Sequence, residues 1–391
     1  MTGKATFRIK QLVLPVFLPS LLFATGEGAI IPIIPAAAER LGADIPTAGL
    51  LAGMLMLGTL LADIPASQLV FRLGERKAMI VVAFVAAAGI SLAYFSNTLI
   101  ALGSAAFIAG ACASVFGLAR HGYMAHNVPQ SHRARSLAML GGMFRGGSFF
   151  GPAIASAVIW MLDLKSVFVV GVAFCILAAL ALLISRAAGF EDDKPAPSTG
   201  VWNVAKAQRH KLLTLGTASA ILAAVRTIRS IGLPLWALSI HLHPGETTLY
   251  IALGGALDFA LFYSSGQVMD RFGRRAAAVP TLVATGITYL FVFAAQDGTG
   301  FLILVLAIAL ANGIGSGVIM VLGADLAPPE SRNEFLASYR MMVDAAMAGS
   351  APVLSLLTAI FGLAGAMSGF GLLAFFGGWL MYRYIPRFER H

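Results

Sequence analysis

The sequence predicts an all-α membrane protein of twelve transmembrane helices arranged as two six-helix bundles. Three observations carry that prediction. Of 391 residues, 58% are hydrophobic and only 12% charged, about half the ~25% charged share of soluble globular proteins. Apolar runs of about 20 residues, the length needed to cross a hydrocarbon core, recur from end to end. The two halves also repeat each other at an offset of about 199 residues. No ten-residue alternation of the kind a transmembrane β-barrel requires is visible.

The expected spans follow in order. Span one, 12–38, carries Glu27 and runs straight into the body of the chain, unlike a cleavable signal. Spans two and three, 47–70 and 77–96, flank a basic turn at Arg72, Arg76 and Lys77, with Asp63 inside span two. Span four, 98–125, holds Gly103, Gly110, Gly117 and Arg120. Span five, 136–162, is rich in glycine (Gly141, Gly142, Gly146, Gly147, Gly151), with Arg145 and Pro152. Span six, 166–186, closes an N-terminal bundle of residues 1–186. Residues 187–211 form a cytoplasmic linker, Pro/Ser-rich at first and therefore flexible. Its second part, Val201 to Lys211, is expected as a short amphipathic helix on the membrane surface. The C-terminal bundle, 212–391, begins with span seven, 212–240, where Arg226 and Arg229 share one face. Span eight, 247–269, carries Asp258, and span nine is 276–295. Span ten, 299–324, holds Gly313, Gly315 and Gly317. Span eleven, 334–360, carries Arg340 and Asp344 at helix spacing, and span twelve is 363–384. The glycine stretches are expected to let helices approach closely, as small residues do in lipid.

Basic residues fix the orientation. Twenty of the 27 lysines and arginines fall on the side shared by both termini, and two, Arg40 and Lys165, fall on the other. Both termini are therefore expected in the cytoplasm, and the protein is expected in a cell membrane, most simply a bacterial inner membrane. The net charge of +9 then reflects topology and not nucleic-acid binding. Cys112 and Cys175 fall inside apolar runs and are read as buried packing thiols. His241, His243 and Glu246 are read as a solvated loop and not a metal site. No cofactor or metal is expected. One chain supplies both repeats, so a monomer is expected to be complete.

The repeat is detailed. Arg72-Leu73-Gly74 falls on Arg271-Phe272-Gly273, and Arg133 on Arg332. Glu27 falls on Arg226, and Arg145 on Asp344. Paired charges thus sit at matching depth in spans one and seven, and in spans five and eleven.

Six-plus-six spans, a central linker and two parallel repeats resemble the major facilitator superfamily. "GQVMDRFGRR", Gly266 to Arg275, is similar to the cytoplasmic loop signature of that family without a mismatch. The first-half counterpart, "SQLVFRLGERK", keeps Arg72, Gly74 and Arg76 but has Phe71 and Glu75 where the signature has Asp and Arg. The span-four glycines followed by Arg120 resemble a family motif whose arginine faces the cavity. "GSFFGPAIAS", Gly147 to Ser156, resembles the signature of the drug–proton antiporter branch around Gly151 and Pro152, with Ala155 and Ser156 replacing its last glycines. The resemblance covers essentially the whole chain. It implies two bundles related by a pseudo-two-fold axis, alternating access, and a loop latch formed by Asp270 with Arg271 and Arg274.

The resemblance also places spans one, four, seven and ten around a central cavity, so Glu27, Arg120, Arg226 and Arg229 are expected along the substrate path. Ionisable groups inside a membrane face water or one another. Arg340 and Asp344 can pair along one helix. Across the interface between halves, Asp63 is expected opposite Arg340, and Arg145 opposite Asp258. Asp325 and Arg120, toward the cytoplasmic ends, also suit snorkelling. Proton coupling needs a titratable group, and Glu27 is the first candidate, with Asp258 and Asp344 beside it. With three cavity arginines set against Glu27, the cargo is expected to be anionic or zwitterionic.

The functional expectation is a proton-coupled exporter of a small organic compound. An organic-anion importer of the same fold and a non-transporting membrane receptor or assembly partner stand as alternatives. No Ser/His/Asp set, His-Glu-x-x-His or phosphate-cradling motif points to an enzyme.

Overall fold

A computed structural model of the chain describes residues 9–95, 97–185 and 201–388. Residues 187–200 of the expected linker lie outside the described residues, as do Lys4, Arg8, Arg186, Lys194 and Arg390 of the orientation argument. Among the described residues the regular structure is helical throughout.

The first span is composite. A short 3₁₀ turn, Ile9–Leu12, and a π-helical turn, Val13–Phe17, lead into α1 (Leu18–Ile30). A 3₁₀ turn, Ile31–Ile33, separates α1 from α2 (Ile34–Arg40). Pro32 lies in that turn, where its missing N–H breaks the helical ladder. Then come α3 (Ile45–Leu73), α4 (Glu75–Phe95), α5 (Leu99–Asn127), α6 (Gln130–Met161) and α7 (Ser166–Ile184). Two short helices, α8 (Val201–Ala207) and α9 (Arg209–Lys211), occupy the expected amphipathic segment. A second π-helical turn, Leu212–Gly216, opens α10 (Thr217–Ser239). The chain continues through α11 (Pro244–Phe272), α12 (Arg274–Leu290), α13 (Gly298–Ile314), α14 (Val318–Leu326) and α15 (Arg332–Phe388).

The helix ends have local causes. The Thr98 hydroxyl accepts from the Ala101 amide at 3.2 Å, and the Asp297 carboxylate from the Gly300 amide at 2.7 Å; such N-caps satisfy the orphan donors of a first turn. Gly74 separates α3 from α4 with φ 76, and Gly273 separates α11 from α12 with φ 81. Only glycine adopts that left-handed backbone without steric penalty. The two positions match under the sequence repeat, as do the two π-helical turns at Val13 and Leu212, so the repeat extends to backbone conformation. Gly362, with φ 71, breaks α15 into two helices.

Eight helices among the described residues are long and apolar enough to cross a membrane, nine if the bent pair Pro244–Phe262 and Ser264–Phe272 is one span. That number counts Glu334–Arg387 as a single helix across the Gly362 break. It omits α12, which is 17 residues long, and α6, whose apolar stretch is interrupted by Arg145 and several glycines. Large apolar side chains point outward along the helices, among them Leu61, Ile184, Leu213, Met320 and Phe361, all more than half exposed. In water a surface of that kind would drive association; against lipid it is the expected coat.

Contacts divide the chain into two compact units. The first comprises Met1–Ile34 and Met54–Lys194, the second Pro35–Gly53 and Pro195–His391. In the first, α1 packs on α6 and α7, and α4 on α5 and α7. Glycine makes the closest approaches: a Cβ on Gly110 would run into the Leu55 carbonyl, and one on Gly151 would lie 2.5 Å from the Thr25 carbonyl oxygen and the Ala29 amide. Gly117 and Gly142, expected on the same contact faces, meet open space instead. In the second unit, α10 and α12 pack on α15, and α11 and α12 on α13. The segment Pro35–Gly53 belongs there because Ser355 Oγ donates to the Pro46 carbonyl at 2.8 Å and Gly53 lies flush on Ala351.

Candidate functional site

Each unit holds its own buried charge cluster. In the first unit Glu27 sits near the C-terminal end of α1, half-buried, beside a small crevice lined by Phe23, Ile30, Leu55, Ile90 and Cys175. Arg120 on α5 is the cation within electrostatic reach of Glu27. Its guanidinium also lies over the Phe144 ring at 5.5 Å, a cation–π contact that strengthens where water is scarce. One turn from Glu27, Phe23 stacks on Phe116 with centroids 4.3 Å apart, tying α1 to α5. Asp63 on α3 accepts from the Ser114 hydroxyl of α5. Arg145, on α6, is half-buried.

The second unit carries the tighter arrangement. Arg229 Nη1 donates to Asp258 Oδ2, joining α10 to α11. The other carboxylate oxygen, Oδ1, accepts from Asn312 Nδ2 of α13 at 3.3 Å. The Arg229 and Asp258 side chains are 16% and 12% exposed. A buried ion pair persists only when further hydrogen bonds satisfy its lone pairs, and Asn312 supplies one. One turn earlier, Arg226 Nη2 donates to the Gly315 carbonyl at 2.7 Å. That carbonyl lies at the break between α13 and α14 at Gly315–Gly317, where it also accepts from the Val318 amide at 3.1 Å. The C-terminal end of a helix carries partial negative charge, so Arg226 caps α13. Interrupted helices whose ends meet charged groups are a known architecture for ligand sites in membranes. Tyr289 and Tyr339 frame the cluster, donating to the Val225 and Ile319 carbonyls at 2.8 and 2.9 Å.

These contacts alter several expectations. Asp258 is engaged by Arg229 of its own unit, the two lying on consecutive helices of one hairpin. The sequence reading set three arginines against Glu27 alone; Asp258 adds a second carboxylate and neutralises Arg229. Arg340 and Asp344 meet along α15 at 3.2 Å. Arg274 bonds Asp325 at 2.9 Å, an acid at the end of α14 that the loop signature does not contain. Asp270 and Arg271 are exposed, Arg271 lying over the Phe272 ring at 5.2 Å, while Arg275 lies 3.6 Å over Tyr382. In the first-half loop, Arg72 is exposed, and Arg76 caps the C-terminal end of α7 through the Leu182 and Leu183 carbonyls. Gly151 and Pro152 are buried, with Gly151 against α1. Asn312 escaped the sequence reading. Its signal was present: it is the first polar side chain after the unbroken apolar run Phe301 to Ala311.

The sequence pattern of the Major Facilitator Superfamily matches residues 16–267. No curated protein matches the chain. Among solved structures, a POT family transporter in complex with a thioalcohol-conjugated peptide is similar with a TM-score of 0.81 at 11% identity, over 97% of this chain and 96% of that one. The same transporter family in complex with 5-aminolevulinic acid gives 0.81 at 12% identity, over 99% and 98%. A bacterial homologue of the human lysosomal transporter Spinster, inward-facing and unoccupied, gives 0.79 at 14% identity, over 99% of both chains. At these identities the likeness is one of fold.

Proposed function

The chain belongs to the Major Facilitator Superfamily, and from that premise we propose that this multi-pass secondary transporter is proton-coupled and exports a small organic anion or zwitterion. The observation that carries the reading is the Arg229–Asp258 pair with Arg226 one turn away. Ionisable groups deep in membrane helices are costly and mark substrate or ion pathways. The ionised Asp258 carboxylate can hold the cationic end of a zwitterionic cargo whose anionic end lies on Arg226. A proton on that carboxylate removes the charge that holds the cargo. Substrate and proton therefore exclude one another at Asp258 and are exchanged there. Glu27 with Arg120 offers the same chemistry in the first unit.

The anionic preference rests on Arg226. Its Nη2 reaches the Gly315 carbonyl, and its planar guanidinium suits bidentate recognition of carboxylate or phosphate groups. Fold neighbours crystallised with a peptide conjugate and with 5-aminolevulinic acid support a small-molecule cargo. Export rests on the resemblance of the Gly147–Ser156 stretch to the antiporter signature. The test is a thermal-shift binding screen of small anionic, zwitterionic and cationic compounds against the wild type and Arg226→Ala. Anionic or zwitterionic hits that vanish in Arg226→Ala are expected. Hits dominated by lipophilic cations, indifferent to the substitution, would overturn the proposal.

A further inference from the structure

We infer that Asn312 is a positioning residue that serves Asp258 in both of its protonation states by turning its side-chain amide over. The inference rests on the reading of Asp258 as a proton carrier. Three contacts define the geometry. Asp258 Oδ2 takes the Arg229 guanidinium, Oδ1 takes Asn312 Nδ2 at 3.3 Å, and Asn312 Oδ1 is buried without a hydrogen-bond partner among the described residues. The helices packed on α11 contribute few other ionisable groups. Those on α10 are Arg226 and Arg229, and those on α12 are Tyr289 with Arg274 and Arg275 at its start. The α13 sequence contains no ionisable side chain, so Asn312 is what α13 offers Asp258.

An ionised carboxylate only accepts hydrogen bonds, whereas a protonated one also donates. With Asp258 ionised, the NH₂ end of Asn312 is the correct neighbour. A hydronium ion from the aqueous phase then gives its proton to Oδ1 and leaves as water. The new O–H faces two amide hydrogens, which cannot accept it. A half-turn about the Cβ–Cγ bond of Asn312 brings its carbonyl oxygen to that hydroxyl. The torsion is broad and roughly two-fold, and in either orientation one end of the amide is bonded while the other is not. The amide therefore follows the proton without favouring either state. No aliphatic side chain can do this, and neither can a pure donor such as lysine.

The test uses the purified full-length chain in lipid nanodiscs and infrared difference spectra between alkaline and acidic buffer. The carboxylic-acid C=O band of Asp258 is identified by its loss in Asp258→Asn. In Asn312→Leu that band is expected at higher frequency, because its hydroxyl has lost its acceptor. In Asn312→Ser, whose hydroxyl both donates and accepts, it is expected near the wild-type position. A band unmoved in Asn312→Leu overturns the inference and leaves the proton-carrier reading standing. A band absent at every pH overturns both. Should Asn312→Leu fail to fold, the side-chain ¹⁵NH₂ resonance of wild-type Asn312 decides. It is expected to shift in step with the Asp258 band and to be pH-independent in Asp258→Asn; a resonance that ignores pH in the wild type overturns the inference.

Discussion

Arg229 and Asp258 are worth less as a pair than their separation costs. Removing one member of a buried ion pair typically destabilises by about 3–5 kcal/mol, because the other is left uncompensated, whereas replacing both by apolar residues of similar volume is often nearly neutral. Arg229→Met should therefore lower the melting temperature more than the double replacement of Arg229 by Met and Asp258 by Leu. Thermal unfolding of the single and double variants checks this; a double variant as unstable as the sum of the singles would show that the two side chains do not compensate each other. Glu27 makes a different prediction. Glu27→Gln keeps the shape and removes the titratable group, so proton-driven transport should be lost while ligand binding persists. Unchanged proton-driven flux in that variant would remove Glu27 from the coupling path. At this scale the sequence disclosed which residues are charged inside apolar runs, and Arg226, Arg229 and Glu27 needed nothing more. It did not disclose partners. Asp258 pairs with Arg229 because α10 and α11 form one hairpin, and Asn312 matters through the direction its side chain takes from α13. Neither fact is encoded in spacing.

Among the helices, packing distance decides what a substitution does. A methyl on Gly151 would meet the α1 backbone at 2.5 Å, while one on Gly142 meets nothing within 4 Å. Alanine gains about 1 kcal/mol over glycine inside a helix, and overpacking costs roughly 1–3 kcal/mol or more. Gly142→Ala should thus hold or raise thermal stability, and Gly151→Ala should lower it, although both glycines lie in one motif-rich helix. Equal melting temperatures for the two variants would contradict the packing described for α1 and α6. At the start of α3, Asp44 accepts from the Thr47 amide at 2.9 Å, and bonds from Thr47 hold its carboxyl below the usual range. A lowered value means the cap is complete above the ordinary carboxylate pKa of ~3.9 and is lost as pH falls through the lowered one. The Thr47 amide resonance should accordingly stay constant near neutral pH and move only in strong acid; movement between neutral pH and the ordinary carboxylate range would contradict it. Helix positions were legible from hydropathy, and the Gly74/Gly273 turns from the repeat. The breaks at Gly315–Gly317 and within the first span were less so, because their glycines and prolines also suit continuous packed helices.

For the whole molecule, composition and repeat were enough to foresee an all-helical membrane protein of two repeated halves, since a bilayer permits few alternatives, and the resemblance of its motifs pointed to the transporter fold. The loop latch was foreseen by resemblance and came out differently at Arg274, which reaches Asp325 on α14, a residue 51 positions away. What composition cannot supply is direction and driving ion, because export and import use one fold and the same charges. If protons drive cargo through the carboxylate–arginine pairs, everted membrane vesicles with an acidic interior, supplied with the tightest anionic or zwitterionic binder from the screen, should accumulate it against its own gradient. That accumulation is expected in the wild type, abolished by a protonophore and absent in Asp258→Asn. Accumulation that survives the protonophore, or that Asp258→Asn matches, would rule out proton coupling at Asp258.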